Sequence, residues 1–160
     1  IEEFAVVHSD HLTLLNIYRK FEESGCSSSW CDSMSLQYRV LARAKEIRKN
    51  LHSVLLRCGE KGSVISSCAD DDAAVRRCLV SGFFSHAAKL GNDGMYHTLR
   101  GGGVAVFPHP TSVLAKFGAP AEWVIYNEVH LSRTTQIREV TKIDARWLAE
   151  LAPHYYNVKF

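Results

Sequence analysis

Apolar residues recur at helical spacing through the first half of this chain and at strand-like spacing through much of the second. Ser9 or Asp10 can cap a first helix whose inner face carries Leu12, Leu15, Tyr18 and Phe21, with Gly25 as its stop. After the polar run Ser27-Ser28-Ser29, Trp30 and Cys31 return to the core as a short anchor. Ser33 or Ser35 can cap a second helix with apolar positions Leu36, Val40, Ala44, Ile47, Leu51 and Val54 or Leu55, spaced by three or four residues. Arg39, Arg43, Arg48 and Lys49 fall mostly off that stripe, and Gly59 and Gly62 end it. A polar loop over 59–69 leads to Asp70-Asp71-Asp72, whose carboxylates favour the positive end of a third helix dipole. Its buried face would hold Val75, Leu79, Phe83 and Ala87, with Gly91 as the stop.

Beyond Gly91 the period changes. Tyr96 to Leu99 and Val104 to Phe107 are β-type runs joined by Arg100-Gly101-Gly102-Gly103, which predicts a hairpin. Trp123 to Leu131 is the strongest strand pattern. Ser132-Arg133-Thr134-Thr135 turns it into Gln136 to Ile143, where Ile137, Glu139, Thr141 and Ile143 alternate with Arg138, Val140 and Lys142. Asp144 caps a last helix over 145–151, before Pro153. Helices first and strands second predict an α+β chain with a seam near residues 91–94.

Composition bounds the possibilities. Apolar residues make up 46% and charged residues 22%, as in a globular protein able to bury a core. A net charge of +2 is too small to hold nucleic acid by charge alone, so any nucleic-acid contact must be a local patch. No run of residues has the length and apolarity of a membrane span, and no signal peptide is visible. Ile1 in place of a start methionine predicts a truncated or processed chain. The five cysteines, all in the first half, read as reduced thiols of a cytosolic or nuclear protein.

Several phrases, in order, carry a resemblance. They are Asp10-His11-Leu12-Thr13-Leu14-Leu15-Asn16, Trp30-Cys31, Glu46-Ile47-Arg48, Val75-Arg76-Arg77-Cys78-Leu79, Pro108-His109-Pro110-Thr111-Ser112, Tyr126-Asn127-Glu128, Ile137-Arg138-Glu139-Val140-Thr141, and Trp147-Leu148 with Ala152-Pro153. Over roughly residues 8 to 157 the chain resembles the C-terminal region of the DEAH-box RNA helicases. It departs from the family pattern at Ser9, where Gly is usual, at Ser35, where Asn is usual, and at Lys49 and Asn50, where Gln is common. The resemblance implies a helical ratchet region over 1–91 and an OB-like antiparallel β-barrel with a short C-terminal helix over 92–160. It also implies a parent ATP-dependent RNA helicase or RNP remodeller, nuclear or cytoplasmic, often acting in pre-mRNA splicing or ribosome assembly. In such a protein this region would line the channel for single-stranded RNA, lie against the motor domains of its own chain, and sit near the site of a G-patch activator protein.

The chemistry narrows further. No phosphate-binding loop of the form G-x-x-x-x-G-K-[ST] occurs, so ATP and Mg would belong to the parent's motor and this segment would hold no cofactor and hydrolyse nothing. The cysteine spacing does not fit a zinc finger, and no nucleophile-elbow motif occurs. The residues suited to RNA backbone are Arg138, then Arg133 and Thr134 in the preceding turn, then His109, Thr111 and Ser112 in the loop after the second strand, with Lys116 nearby. A rigid Pro108-His109-Pro110 turn with Ser112 as its internal partner is the competing reading for His109. Arg48 is either a channel contact or part of a solvated face with Arg39, Arg43 and Lys49. Asp10-His11 either contacts RNA or a motor domain, or Asp10 caps its helix. Trp123, Tyr126 and Trp147 read as core in preference to base-stacking platforms. A second class of function, a protein-docking module for a G-patch-type activator with little RNA contact of its own, fits the near-neutral charge.

Overall fold

The structure, a computed structural model, describes residues 2–59, 65–118, 120–131 and 133–156. The expected stop at Gly62 and the Ser132 position of the expected turn lie outside them. The described residues form two compact units, one drawn from Ile1–Leu14 and Asp70–Phe160, the other Leu15–Ala69. The sequence-based division at 91 and 92 follows a different line. Residues 70–91 group with the strands because they include the third helix, which packs on the last one, and a strand inside the sheet.

In the Leu15–Ala69 unit, the later turns of α1 (Asp10–Glu23) bring Phe21 into a fully buried position. Tyr18, Trp30 and Tyr38 surround its ring at centroid distances of 6.5, 6.4 and 6.1 Å. The short helix α2 (Ser28–Ser33) is capped by the Ser27 hydroxyl, which accepts from Trp30 N–H, and buries Cys31 as the anchor pattern required. α3 (Tyr38–Cys58) carries the periodic stripe the sequence predicts, but it begins at Gln37 without a side-chain cap; neither Ser33 nor Ser35 serves. None of its residues is buried: Val40 is 60% exposed, Leu51 58% and Leu55 58%. Periodicity marks a face that can be covered; it does not say that the cover lies within these residues.

In the other unit, Asp71 caps α4 (Asp72–Phe83) by accepting from Ala74 N–H. The helix stops at Phe83, earlier than the Gly91 expected. His86 N–H closes a turn onto Phe83 C=O, and Ala87 opens a strand, β1 (Ala87–Leu90). β2 (Tyr96–Thr98) and β3 (Ala105–Pro108) form the expected hairpin, with Tyr96 opposite Val106. Gly101, Gly102 and Gly103 all take positive φ there, a conformation that disfavours side chains. A four-residue helix, α5 (Val113–Lys116), follows. The long strand pattern at 123–131 divides into β4 (Trp123–Ile125) and β5 (Glu128–Leu131). The next divides into β6 (Thr135–Arg138) and β7 (Thr141–Lys142), before α6 (Ala145–Leu151). Asp144 caps α6 as predicted, and its hydrogen bonds to the Arg146 side chain and backbone pull its carboxyl down to about 2.

The strands make one seven-stranded sheet in the order β5-β6-β3-β2-β1-β4-β7. It is α+β as expected, but it departs from a closed antiparallel barrel in two ways. β3 pairs with β6 in parallel, Phe107 opposite Gln136, and the end strands β5 and β7 are not paired with each other among the described residues. The single strand read at 123–131 is divided between opposite ends of this strand order: among the described residues β4 pairs with β1 and β7, and β5 with β6.

Two core clusters cover the two faces of the sheet. Ala88 and Val124 join Tyr96, Val106, Leu114, Ile137 and Val140 on one side; their chain neighbours Ala87 and Ile125 join Val80, Ile143, Leu148 and Tyr156 on the other. Alternate residues of one strand point to opposite faces, so β1 and β4 must be apolar at consecutive positions.

Candidate nucleic-acid interface

Three of the residues singled out from the sequence converge. β3 ends at Pro108, and His109 N–H donates to Ile137 C=O at 2.9 Å, so the parallel pairing lays the 108–112 turn against β6. Arg138, the last residue of β6, then brings its Nη2 to 3.1 Å from His109 Nε2. A guanidinium can only donate, so Nε2 accepts and the ring proton sits on Nδ1. That proton is donated to Thr111 Oγ1 at 2.7 Å. Thr111 N–H also approaches Nδ1 at 3.2 Å, but a protonated Nδ1 cannot accept, so the hydroxyl contact is the bond in this tautomer. His130 lies edge-on to His109 at 6.3 Å.

The Arg138 guanidinium is only partly committed. Its Nε is buried without a hydrogen-bond partner, and no carboxylate pairs with it among the described residues. A buried donor left unpaired is costly, and each one in a native fold calls for an explanation.

The remaining candidates lie apart from this group or are engaged in the fold. Ser112 is buried; its hydroxyl accepts from Leu114 N–H and its N–H donates to His109 C=O, so the turn does have the internal partner that the competing reading required. Lys116 is exposed at the end of α5. Arg133 and Thr134 are exposed before β6, about 17 and 13 Å of extended chain from Arg138. Arg48 stands on α3 in the other unit, beside Ile47, Leu51, His52 and Leu55 at a shallow apolar depression.

Asp10 does something the sequence did not reveal. Ser9 is the cap, its hydroxyl accepting from Leu12 N–H at 3.1 Å. The buried Asp10 carboxylate instead accepts from Val113 N–H and Val140 N–H, each at 2.7 Å. Beside it, Thr141 Oγ1 lies 2.7 Å from both Ser9 Oγ and His11 Nδ1. Burial pushes the His11 ring below its usual value, against a smaller opposing effect of Asp10. The Ser9-Asp10-His11 phrase is therefore a buried tie between the start of α1, the β3–α5 turn and the β6–β7 bend.

A second histidine is tuned the other way. His97 Nε2 faces Asp93 Oδ2 at 2.8 Å and its Nδ1 faces Gly103 C=O at 3.2 Å, two acceptors that only an imidazolium can satisfy together. Its pKa is raised, first by Asp93 and then by the Gly103 carbonyl, while Asp93 is lowered by Met95 N–H and then by His97. Gly91 makes room for this clamp, since a Cβ there would come within 2.6 Å of Asp93 Oδ1 and 2.9 Å of the His97 ring. With His97 raised, its contribution is complete below the ordinary histidine value of 6.5 and declines as pH rises through the folded value. The His97→Gln variant is expected to lose that decline when urea midpoints are compared across pH 5 to 8 (roughly the histidine range).

Among the described residues no cluster of His, Cys, Asp or Glu suits a metal ion, and no helix is long and apolar enough to cross a membrane.

Comparison with known proteins supplies the family. Residues 75–155 match the oligonucleotide/oligosaccharide-binding (OB)-fold family model. Over 155 residues the chain is 43% identical to the human "Probable ATP-dependent RNA helicase DHX35", covering 97% of this chain and 21% of that protein. Over 159 residues it is 40% identical to the Caenorhabditis elegans homologue of the same name, covering 98% of this chain and again 21% of the relative. The chain thus spans about a fifth of the length of these curated relatives. With the open seven-stranded sheet and the ordered phrases from Asp10 to Pro153, it belongs to the OB-fold family of the C-terminal region of DEAH-box RNA helicases.

Proposed function

We propose that this chain is an accessory region of an ATP-dependent RNA helicase that grips the backbone of single-stranded RNA and passes that grip to motor domains of the same polypeptide. The helical elements within 1–91 act as the ratchet and the sheet as one wall of the RNA channel. ATP and Mg are held by the motor. The setting is RNP remodelling, including pre-mRNA splicing, in the nucleus or cytoplasm. The observation that carries this reading is the Arg138 guanidinium, one arm braced on His109 and a buried Nε with no acceptor of its own. A phosphate oxygen is an acceptor that this guanidinium can take, once the side chain turns outward, without reading sequence, as backbone contacts do. Thr111, Lys116, Arg133 and Thr134 extend the grip as exposed residues on the same unit; Arg48, on the other unit, is a separate RNA contact.

The test is fluorescence anisotropy of labelled oligouridylate with the purified chain. Arg138→Ala is expected to weaken binding by about tenfold, the loss of one charge-assisted contact. His109→Ala, which removes the brace and not the charge, is expected to weaken it less. Unchanged affinity in Arg138→Ala removes this residue from the interface.

The second reading, a docking module for a G-patch-type activator, is favoured by one observation: the apolar stripe of α3, Val40 to Leu55, has no cover among the described residues. Undetectable RNA binding at low salt, with retained activator binding that Leu51→Glu abolishes, would select it.

A further inference from the structure

A cleft of about 540 Å³ opens between α4, β4, β7 and the start of α6, lined by Arg76, Glu122, Trp123, Lys142, Asp144 and Trp147 among others. The two tryptophans are half-buried and pack against the core cluster of Val80, Ile125 and Leu148, which fixes their indoles in place. The Arg76 guanidinium lies over the Trp147 ring at 5.3 Å, anchored by a hydrogen bond from Nη1 to Lys142 C=O at 3.2 Å. Trp123 carries the Lys89 ammonium over its ring at 4.9 Å.

The lining carries two cations, Arg76 and Lys142, and two carboxylates, and the carboxylates are paired elsewhere. Glu122 pairs with Lys89 at 3.7 Å and Asp144 with Arg146, two cations that do not line the cleft. Arg76 and Lys142 line it, and neither pairs with a carboxylate among the described residues. Both cations act on His8 nearby: after burial, Arg76 is the next cause that lowers its pKa, Asp72 opposes it, and Lys142 adds a smaller lowering.

The geometry points to a second nucleotide-binding site in this cleft, in which a base of single-stranded RNA stacks on the Arg76–Trp147 or Trp123 surface and its phosphate is held by Lys142 and Arg76. Fixed aromatic or guanidinium planes beside cations that no carboxylate neutralises are what a sequence-tolerant single-strand site requires. An acidic peptide would use the cations but leave the flat surfaces unused. Lys142 follows Arg138 by four residues, at most about 14 Å of chain, so one short strand can reach both places. This inference rests on the RNA-binding reading above and extends it to a different set of side chains.

The experiment uses the chain carrying Trp30→Phe, so that emission comes from Trp123 and Trp147 alone. Labelled oligouridylate is followed by anisotropy while unlabelled oligouridylate is followed by indole emission. The expected result is quenching that saturates at the anisotropy midpoint. Lys142→Gln should weaken binding about fivefold to tenfold, in the range of one backbone contact. Arg76→Gln should do the same and change the quenched fraction, and circular dichroism should show both variants folded. Arg138→Ala should move the midpoint and leave the saturating quench intact. Binding seen by anisotropy with unquenched emission overturns this site and leaves the Arg138 reading standing. Absence of binding by both readouts overturns both. Equal quenching by polyglutamate assigns the cleft to an acidic peptide and overturns the nucleotide assignment.

Discussion

Asp10→Asn is expected to destabilise the chain by about 3 kcal/mol or more, although it changes neither volume nor shape. The Asp10 carboxylate is buried, and its two oxygens each accept one backbone N–H at 2.7 Å, from Val113 and Val140. These are charge-assisted bonds across 103 and 130 residues of sequence, joining the first helix to both the β3–α5 turn and the β6–β7 bend. Asparagine supplies one acceptor oxygen, while its NH2 group aims a donor at the second N–H. One backbone donor is then buried unpaired and faces another donor. Asp10→Ala leaves both unpaired and is expected to cost at least as much. The check is urea unfolding: a lower midpoint at an unchanged slope, the sign of lost stability in an unaltered fold. A shift within about 0.5 kcal/mol, the range of ordinary surface substitutions, would show that the carboxylate contacts carry no net stabilisation.

The other large effect is Phe21→Ala, expected to cost about 3–5 kcal/mol, the range for emptying a buried aromatic site. Phe21 is fully buried and touches Tyr18, Trp30 and Tyr38, so three separate helices lose their common contact. The Leu15–Ala69 unit has little else to rely on, because no residue of α3 is buried. Hydrogen exchange is the direct measure. Amides of α2 and α3 should exchange much faster in Phe21→Ala, while those of β1, β2 and β4 should keep most of their protection. Uniform acceleration across the chain would show that the two units unfold as one.

Local features of this fold are legible in the sequence, and the non-local ones are not. Asp144 before an apolar run marks the start of α6, and the glycine triplet marks the hairpin, because caps and turns are chosen by neighbours a few residues apart. The parallel pairing of Phe107 with Gln136 joins segments far apart in the chain, and neither carries a mark of its partner. The alternation at 137–143 fails because Glu139 takes φ +47, a left-handed residue that is not glycine; its bend puts Ile137, Val140, Thr141 and Ile143 all inside. The break of 123–131 at Tyr126–Asn127 is hidden for a similar reason, since each half is a good strand and only the choice of partner separates them. At the candidate site, residue type singled out Arg138 and His109, but their contact depends on the parallel pairing. Asp10 read as a helix cap by position, yet its partners are more than a hundred residues away, which no local pattern can show.

In the proposed function this nearly neutral chain holds RNA through a few placed cations and not through its overall charge. The most direct measurement is the affinity of the purified chain for oligouridylate as salt is raised. A protein that neutralises Z phosphates of a single strand should show log K falling against log salt with a slope of about −0.7Z. For Arg138 with one to three companions, the expected slope lies between about −1.4 and −2.8, and it should become shallower by about 0.7 in Arg138→Ala. Absence of binding at low salt, or a slope that Arg138→Ala leaves unaltered, would contradict the account.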